Sequence, residues 1–325
     1  MPNVLVTGGC GYVGSGVIHR LKRLGYGVSV LDSLVCGDKR TIPEDVPLYV
    51  GDYSNLALVE QILSKQVVDC VLHCGAWTDV RESLVEPMRY FINNLAGTMF
   101  LLQAMVHCHV KQIVYLSTAS VYGEVESGLA NELQVPNPIN PDGMTHLGVE
   151  QLLASLAESE RWSVVILRPS NVVGRVSPGG STFWKKNTLF SVLGEVVGGE
   201  RESCEVFGCD RPTFDGTAVR DYVHGEDVVR ALVSALSSLP AMGTGVTYNL
   251  ASGRGNSVLE VIRGFEKVSG KSIPVVESAA HPGEIARSVL EPRKAQRELH
   301  WGRRFDDLES LIRDVCLGKE QGLFG

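Results

Sequence analysis

Thr7-Gly8-Gly9-Cys10-Gly11-Tyr12-Val13-Gly14 follows an apolar run, Val4–Val6, and leads directly into an amphipathic stretch. Few folds accommodate a strand that breaks into glycines and restarts as a helix. Gly8 permits a tight turn, Gly11 lets the backbone approach a ligand closely, and Gly14 lets the helix pack against the strand. A helix that begins there presents unpaired N–H groups and the positive end of its dipole, which suits a pyrophosphate. The spacing is a weak signal alone and a useful one in a strand–loop–helix setting.

The next apolar run, Val28–Leu31, ends in Asp32. A carboxylate there accepts hydrogen bonds from ribose hydroxyls and repels a 2′-phosphate, so NAD is expected rather than NADP. The alternative role for Asp32 is to cap a turn. Asp52, after a third strand, suits either an adenine contact or a turn.

Apolar runs recur at Val68–Leu72, Ile113–Leu116 and Val164–Leu167, separated by helical patterns at Tyr12–Leu24, Asn55–Ser64, Pro87–Cys108 and Thr145–Glu158. Two further helices are expected at Asp227–Leu236 and Val258–Val268. Continuous apolar strands alternating with helices predict an α/β fold, a doubly wound parallel Rossmann sheet covered on both faces. Glycine punctuation and shorter elements after about residue 170 indicate a smaller C-terminal lobe. The expected division is 1–170 for NAD binding, with 221–252 returning to that domain, and 171–220 plus 253–325 for the substrate lobe.

The net charge of −7, without a long basic run, argues against nucleic acid or an anionic membrane as partner. The eight cysteines lack CxxC pairs and zinc-like spacing, so reduced thiols and no metal are expected. The chain opens on a strand and has no apolar run long enough to span a bilayer, so a cytoplasmic protein is expected.

Gly8-x-x-Gly11-x-x-Gly14 with Asp32 resembles the extended short-chain dehydrogenase/reductase superfamily. His73-Cys74-Gly75-Ala76 with Val80-Arg81-Glu82-Ser83, Asn93-Asn94-Leu95-Ala96-Gly97-Thr98, and Ser117-Thr118-Ala119-Ser120-Val121-Tyr122-Gly123 resemble its later strands and helices. Val206-Phe207-Gly208, the run Asp215–His224, Tyr248-Asn249-Leu250 and Gly255-Asn256-Ser257-Val258 look like UDP-galactose 4-epimerases. The resemblance covers nearly the whole chain, and Asp215–His224 is its most specific marker.

The resemblance implies that Gly8, Gly11, Tyr12, Val13, Gly14, Asp32, Asp52, Tyr53, Asn94 and Thr118 contact NAD. It implies that Asn171, Thr188, Glu205, Phe207, Arg220, His281, Glu284 and Ser288 line a nucleotide-sugar site, with Arg220 on the diphosphate. A guanidinium makes charge-assisted, bidentate bonds to phosphate; the competing role is an ion pair with Asp221. It also implies a homodimer through the helices at Pro87–Cys108 and Thr145–Glu158, using Leu101, Leu102, Met105, Leu152, Leu153 and Leu156.

The catalytic Tyr-x-x-x-Lys of that family is missing, because none of the nine tyrosines has a lysine four residues later. Asn140-Pro141-Asp142-Gly143-Met144-Thr145-His146 stands where the pattern predicts it, with Asp142 for the tyrosine and His146 for the lysine. On a common helix face, His146 serves as base oriented by Asp142, or Asp142 serves as base directly or through a water. The competing reading makes Asp142 an N-cap and His146 a spectator. Thr78, His281, Glu284 and Ser288 also depart from the family's lysine, arginine, aspartate and tyrosine. The loss at His281 is compensated by Lys185, Lys186 or Arg287, or weakens binding. A small Ser288 makes room for an N-acetyl group.

The expected function is an NAD-dependent nucleotide-sugar 4-epimerase, or a related sugar-nucleotide oxidoreductase, with proton transfer at Thr118, Asp142, His146 or water. Two alternatives stand beside it. One is a catalytically silent relative that binds NAD or a nucleotide sugar. The other is a non-redox lyase or epimerase using Asp142 and His146.

Overall fold

A computed structural model of the chain describes residues 1–125, 128–176, 188–281 and 284–320. Seven strands form one fully parallel sheet: β1 (Asn3–Thr7), β2 (Gly27–Asp32), β3 (Leu48–Val50), β4 (Cys70–His73), β5 (Gln112–Leu116), β6 (Ser163–Pro169) and β10 (Thr244–Leu250). Their order is β10-β6-β5-β4-β1-β2-β3. The chain therefore winds outward from β1 through β3, then crosses back to β4. That reversal opens a crevice at the carboxyl ends of β1 and β4, the place where such sheets bind ligands.

The strands are apolar on both sides because both sides are covered. Helices α1 (Tyr12–Arg23) and α8 (Gly225–Ser237) pack on one face, where Val4, Val6, Val17, Ile18, Leu72, Val114, Val229 and Leu232 form one core. Helices α2 (Leu56–Lys65), α5 (Thr98–His107) and α6 (Pro141–Ser159) cover the other, around Leu5, Ile62, Leu101, Met105, Ile113, Tyr115, Val149 and Leu153. The run expected as one helix over Pro87–Cys108 consists of α4 (Pro87–Tyr90), a π-helical stretch (Phe91–Gly97) and α5.

A smaller sheet gathers β9 (Val219–His224), β11 (Gly255–Ser257), β13 (Arg287–Ser288) and β7 (Asn171–Val173). Beside it, β8 (Cys204–Phe207) pairs with β12 (Val275–Ser278). Helices α7 (Leu189–Gly198), α9 (Val258–Ser269) and α11 (Leu308–Glu320) enclose a separate core of Phe190, Leu193, Val206, Val261, Phe265 and Ile312. The span 221–252 is corrected here. Helix α8 and strand β10 return to the main sheet, whereas Asp221–His224 belong to β9 of the smaller one, where they pair with β11 and β7.

Candidate active site

The glycine loop is built as its spacing requires. Gly8 has φ +68°, and a Cβ there would lie 2.6 Å from the backbone of Gly75 at the end of β4. A Cβ on Gly14 would strike the Gly8 carbonyl. Gly11 starts α1 with extended backbone and no side-chain cap, so the first-turn amides remain open to an anion. Tyr12 is anchored by its hydroxyl on the Gly174 carbonyl, and Val13 packs against the core beneath the helix.

Asp32 is buried at the end of β2. Its Oδ2 accepts the Cys10 N–H and its Oδ1 accepts the Leu34 N–H, both at 2.8 Å. It does cap the loop, yet each carboxylate oxygen has capacity for a second hydrogen bond. That reserve and the open amides fit a dinucleotide. Asp52 is exposed and accepts the Ser54 N–H at 2.8 Å, as a turn residue does.

Two of the expected cofactor residues are engaged within the protein itself. The Tyr53 ring is buried against Gly75 and Gly97, and its hydroxyl donates to the Asn93 carbonyl at 3.0 Å. A phenol this buried needs an inward hydrogen-bond partner, and Asn93 supplies it. Asn94 is also turned inward. Its amide accepts the Trp77 N–H at 2.8 Å and donates to the Trp77 carbonyl at 2.9 Å and to Thr145 Oγ1 at 3.3 Å. It fastens the loop after β4 to the start of α6.

Thr118 follows β5 and caps the short turn Ala119–Tyr122, accepting the Ser120 N–H at 3.1 Å. That turn rests on the start of α6, where a Cβ on Gly143 would lie 2.5 Å from the Ser120 carbonyl. Helix α6 begins at Pro141. Its N-cap is Asn140, whose Oδ1 accepts the Gly143 N–H at 2.9 Å. The capping role considered for Asp142 is thus overturned: Asp142 lies inside the first turn, one helical turn before His146. Asp142 Oδ1 and His146 Nε2 stand 3.8 Å apart, and both residues are nearly sealed, 2% and 1% exposed. Neither atom has a hydrogen-bond partner among the described residues. On its other side, His146 Nδ1 lies 2.6 Å from the Tyr115 hydroxyl. Burial lowers the His146 pKa, although Asp142 and Glu150 push it back up.

In the smaller sheet, Arg220 is half-buried on β9. It donates to the carbonyls of Val219 at 3.0 Å and Ala286 at 3.4 Å, and pairs with no carboxylate among the described residues. The ion pair with Asp221 is not made, because Asp221 accepts from Ser252, Gly253 and Leu290 instead. Ser288 is the register partner of Arg220 across β13. Phe207 stacks near His281, with centroids 4.3 Å apart, and lies 4.3 Å beneath the Arg81 guanidinium. Glu284 joins Arg81 at 3.2 Å to Arg211 at 2.8 Å.

Asn171 donates to the Asp221 carbonyl at 3.1 Å. Thr188 caps α7. Glu205 is exposed and held by Ser278. Lys185 and Lys186 lie outside the described residues. The sequence reading missed Tyr115 and the crossing from Arg81 to Glu284. Strand parity places Tyr115 with Ile113 on the face that α6 covers, which is the signal available for it. Nothing in the local sequence pairs residues as distant as 81 and 284.

The fold and this crevice define an extended short-chain dehydrogenase/reductase. The chain belongs to the NAD dependent epimerase/dehydratase family, whose model matches residues 4–251. It is 36% identical over 317 residues to a UDP-glucose 4-epimerase of Azospirillum brasilense, covering 97% of this chain and 91% of the relative. It is 37% identical over 314 residues to the UDP-glucose 4-epimerase of Bacillus subtilis, covering 92% and 91%. Among solved structures, UDP-glucose-4-epimerase from Stenotrophomonas maltophila with bound NAD and formylated UDP-arabinopyranose superposes with TM-score 0.91 at 35% identity, covering 99% of both chains.

Proposed function

We propose that this chain is an NAD-dependent 4-epimerase of a UDP-hexose or UDP-N-acetylhexosamine. The carrying observation is Arg220, a half-buried guanidinium that bonds only main-chain carbonyls and has no carboxylate partner among the described residues, in a chain whose glycine-loop helix is also uncapped. Burying an unpaired cation is costly unless a ligand anion meets it, and a diphosphate does. The Stenotrophomonas maltophila relative, crystallised with NAD and a UDP-pentose derivative, supports the same reading.

Bound NAD supplies hydride removal and return. The residues of the chain do the rest. Asp32 holds the adenosine ribose hydroxyls and disfavours a 2′-phosphate. The α1 amides hold the pyrophosphate, and Arg220 holds the diphosphate of the sugar nucleotide. Thr118 and the Asp142/His146 pair take the place of a tyrosine and lysine, and hold the proton of the sugar hydroxyl at the reacting carbon. Ser288, small and beside Arg220, leaves room for a substituent at the hexose 2-position.

The chain works as a homodimer in this reading. Leu101, Leu102, Met105 and Leu153 do not form the interface expected of them, because the sheet buries them. The apolar face left outside is Met99 and Phe100, 51% and 46% exposed, with Val106, Leu152 and Leu156. A second copy covers it, and light scattering that gives a single-chain mass at micromolar concentration overturns this.

The sealed Asp142/His146 pair favours a second reading, a silent relative that binds NAD and sugar nucleotide without turnover. Mixing the purified protein with UDP-glucose, UDP-galactose and their N-acetyl counterparts separates the two. Interconversion with a transient of reduced-cofactor fluorescence is the expected result. Binding without interconversion supports the silent relative, and turnover without the transient overturns redox chemistry.

A further inference from the structure

Tyr115 has no place in the roles assigned so far, yet among the described residues it makes the one hydrogen bond of the His146 ring. Both rings are buried, with centroids 5.8 Å apart, and the hydroxyl lies 2.6 Å from Nδ1. Two proton arrangements fit that distance. In one, the phenol donates to a bare Nδ1. In the other, Nδ1–H donates to the phenol oxygen, and the phenol proton must go elsewhere. No other acceptor meets the Tyr115 hydroxyl among the described residues, and a buried O–H without a partner costs about 1–3 kcal/mol. Ionisation does not relieve it, because burial and the nearby Glu150 hold the phenol pKa well above its ordinary value. The phenol proton therefore points at Nδ1.

We propose that Tyr115 is a positioning residue: by donating to Nδ1 it fixes neutral His146 as the Nε2–H tautomer, which leaves Asp142 as the proton acceptor and makes His146 the donor beside it. This rests on the epimerase reading above. With Nδ1 engaged by Tyr115 and Nε2 carrying the ring proton, the imidazole has no lone pair free to act as a base. The Nε2–H then faces Asp142 Oδ1 across 3.8 Å, and both atoms are unpartnered among the described residues. Once the sealed pair opens to the crevice, a hydroxyl oxygen can lie about 2.8 Å from each. Its O–H donates to Asp142 while its lone pair accepts from His146. As the alcohol is oxidised, its O–H proton passes to the Asp142 carboxylate. Bound NAD would take up the hydride from the same carbon, while the Nε2–H holds the new carbonyl oxygen. Reversal returns both to the carbon and oxygen they left.

Nitrogen NMR on the full-length, NAD-loaded protein labelled in its eight histidines tests this, with His146→Gln assigning the resonance. The expected spectrum has Nε2 protonated and Nδ1 bare and hydrogen-bonded. In Tyr115→Phe, which keeps the ring, the single tautomer is lost and kcat falls about tenfold at unchanged KM, the scale of one hydrogen bond. A protonated Nδ1 in the unmodified protein overturns the proposal. So does an unchanged tautomer in Tyr115→Phe. If that variant does not fold, the unmodified spectrum still decides the direction of the bond. If no sugar nucleotide turns over, the epimerase reading fails while the tautomer result stands separately.

Discussion

Helix α6 contributes to two buried acid–base pairs within three turns, one wholly its own and one with Arg168 of β6, and they are finished differently. Glu150 accepts from Ser117 at 2.5 Å and from Arg168 Nε at 3.0 Å, and its second oxygen takes Arg168 Nη2. Arg168 also donates to the Tyr122 hydroxyl at 2.8 Å, which donates to Asn249 at 2.7 Å. Asp142 and His146, on the same face, leave an oxygen and a nitrogen facing each other unbonded. Saturated bonding fixes a structure, because every charge is already compensated. Unsaturated bonding leaves capacity for something that arrives. Asp32 is intermediate, with one backbone N–H on each oxygen.

The largest effect expected from this contrast is on turnover. Asp142→Asn removes the proton acceptor and keeps the shape, so kcat should fall about 10²–10⁴-fold, the usual range for one acid–base group. Stability should change by less than about 1 kcal/mol, as for a helix-terminus charge with little else attached. Full activity in that variant would break the contrast.

Arg168→Met should cost about 3–5 kcal/mol in urea unfolding, because it leaves Glu150 charged and unpaired in the core. A loss below about 1 kcal/mol would show that the saturated pair is not the structural one. Asp32→Ala should weaken NAD by about 1–3 kcal/mol in calorimetry, the value of hydrogen bonds to a charged group. It should also narrow the preference over NADP. Smallest is Asn140→Ala, at about 1 kcal/mol of thermal stability, for the loss of the cap that sets where Asp142 sits. A larger loss there would tie the helix start to more than the cap.

The sheet was legible because its strands are continuous apolar runs and its glycine spacing admits one loop geometry. The beginning of α6 was harder. Pro141-Asp142-Gly143 reads as a turn, and the helix pattern becomes visible only from Thr145. The proline, however, occupies the first helical turn, where its missing N–H costs nothing, and Asn140 caps it. The nearness of Asp142 to His146 followed from four-residue spacing. The bond from Tyr115 did not, because it joins a strand to a helix in a register that only the assembled sheet defines. Likewise, Glu284 could be read as a nucleotide contact, but not as the residue shared by Arg81 and Arg211.

The π-helical stretch Phe91–Gly97 has an effect on rotational phase. An α-helix turns about 100° per residue, so a turn that widens to take in an extra residue offsets everything beyond it by roughly that angle. Within the stretch, Asn94 faces inward and clasps Trp77 and Thr145. Downstream, Met99 and Phe100 face outward. Deleting one residue from this stretch would restore ordinary winding and turn the outer face relative to the Asn94 clasp by about 100°. The geometry of the crevice wall and the direction of the apolar outer face are therefore inherited as one trait, set by a single residue's worth of twist.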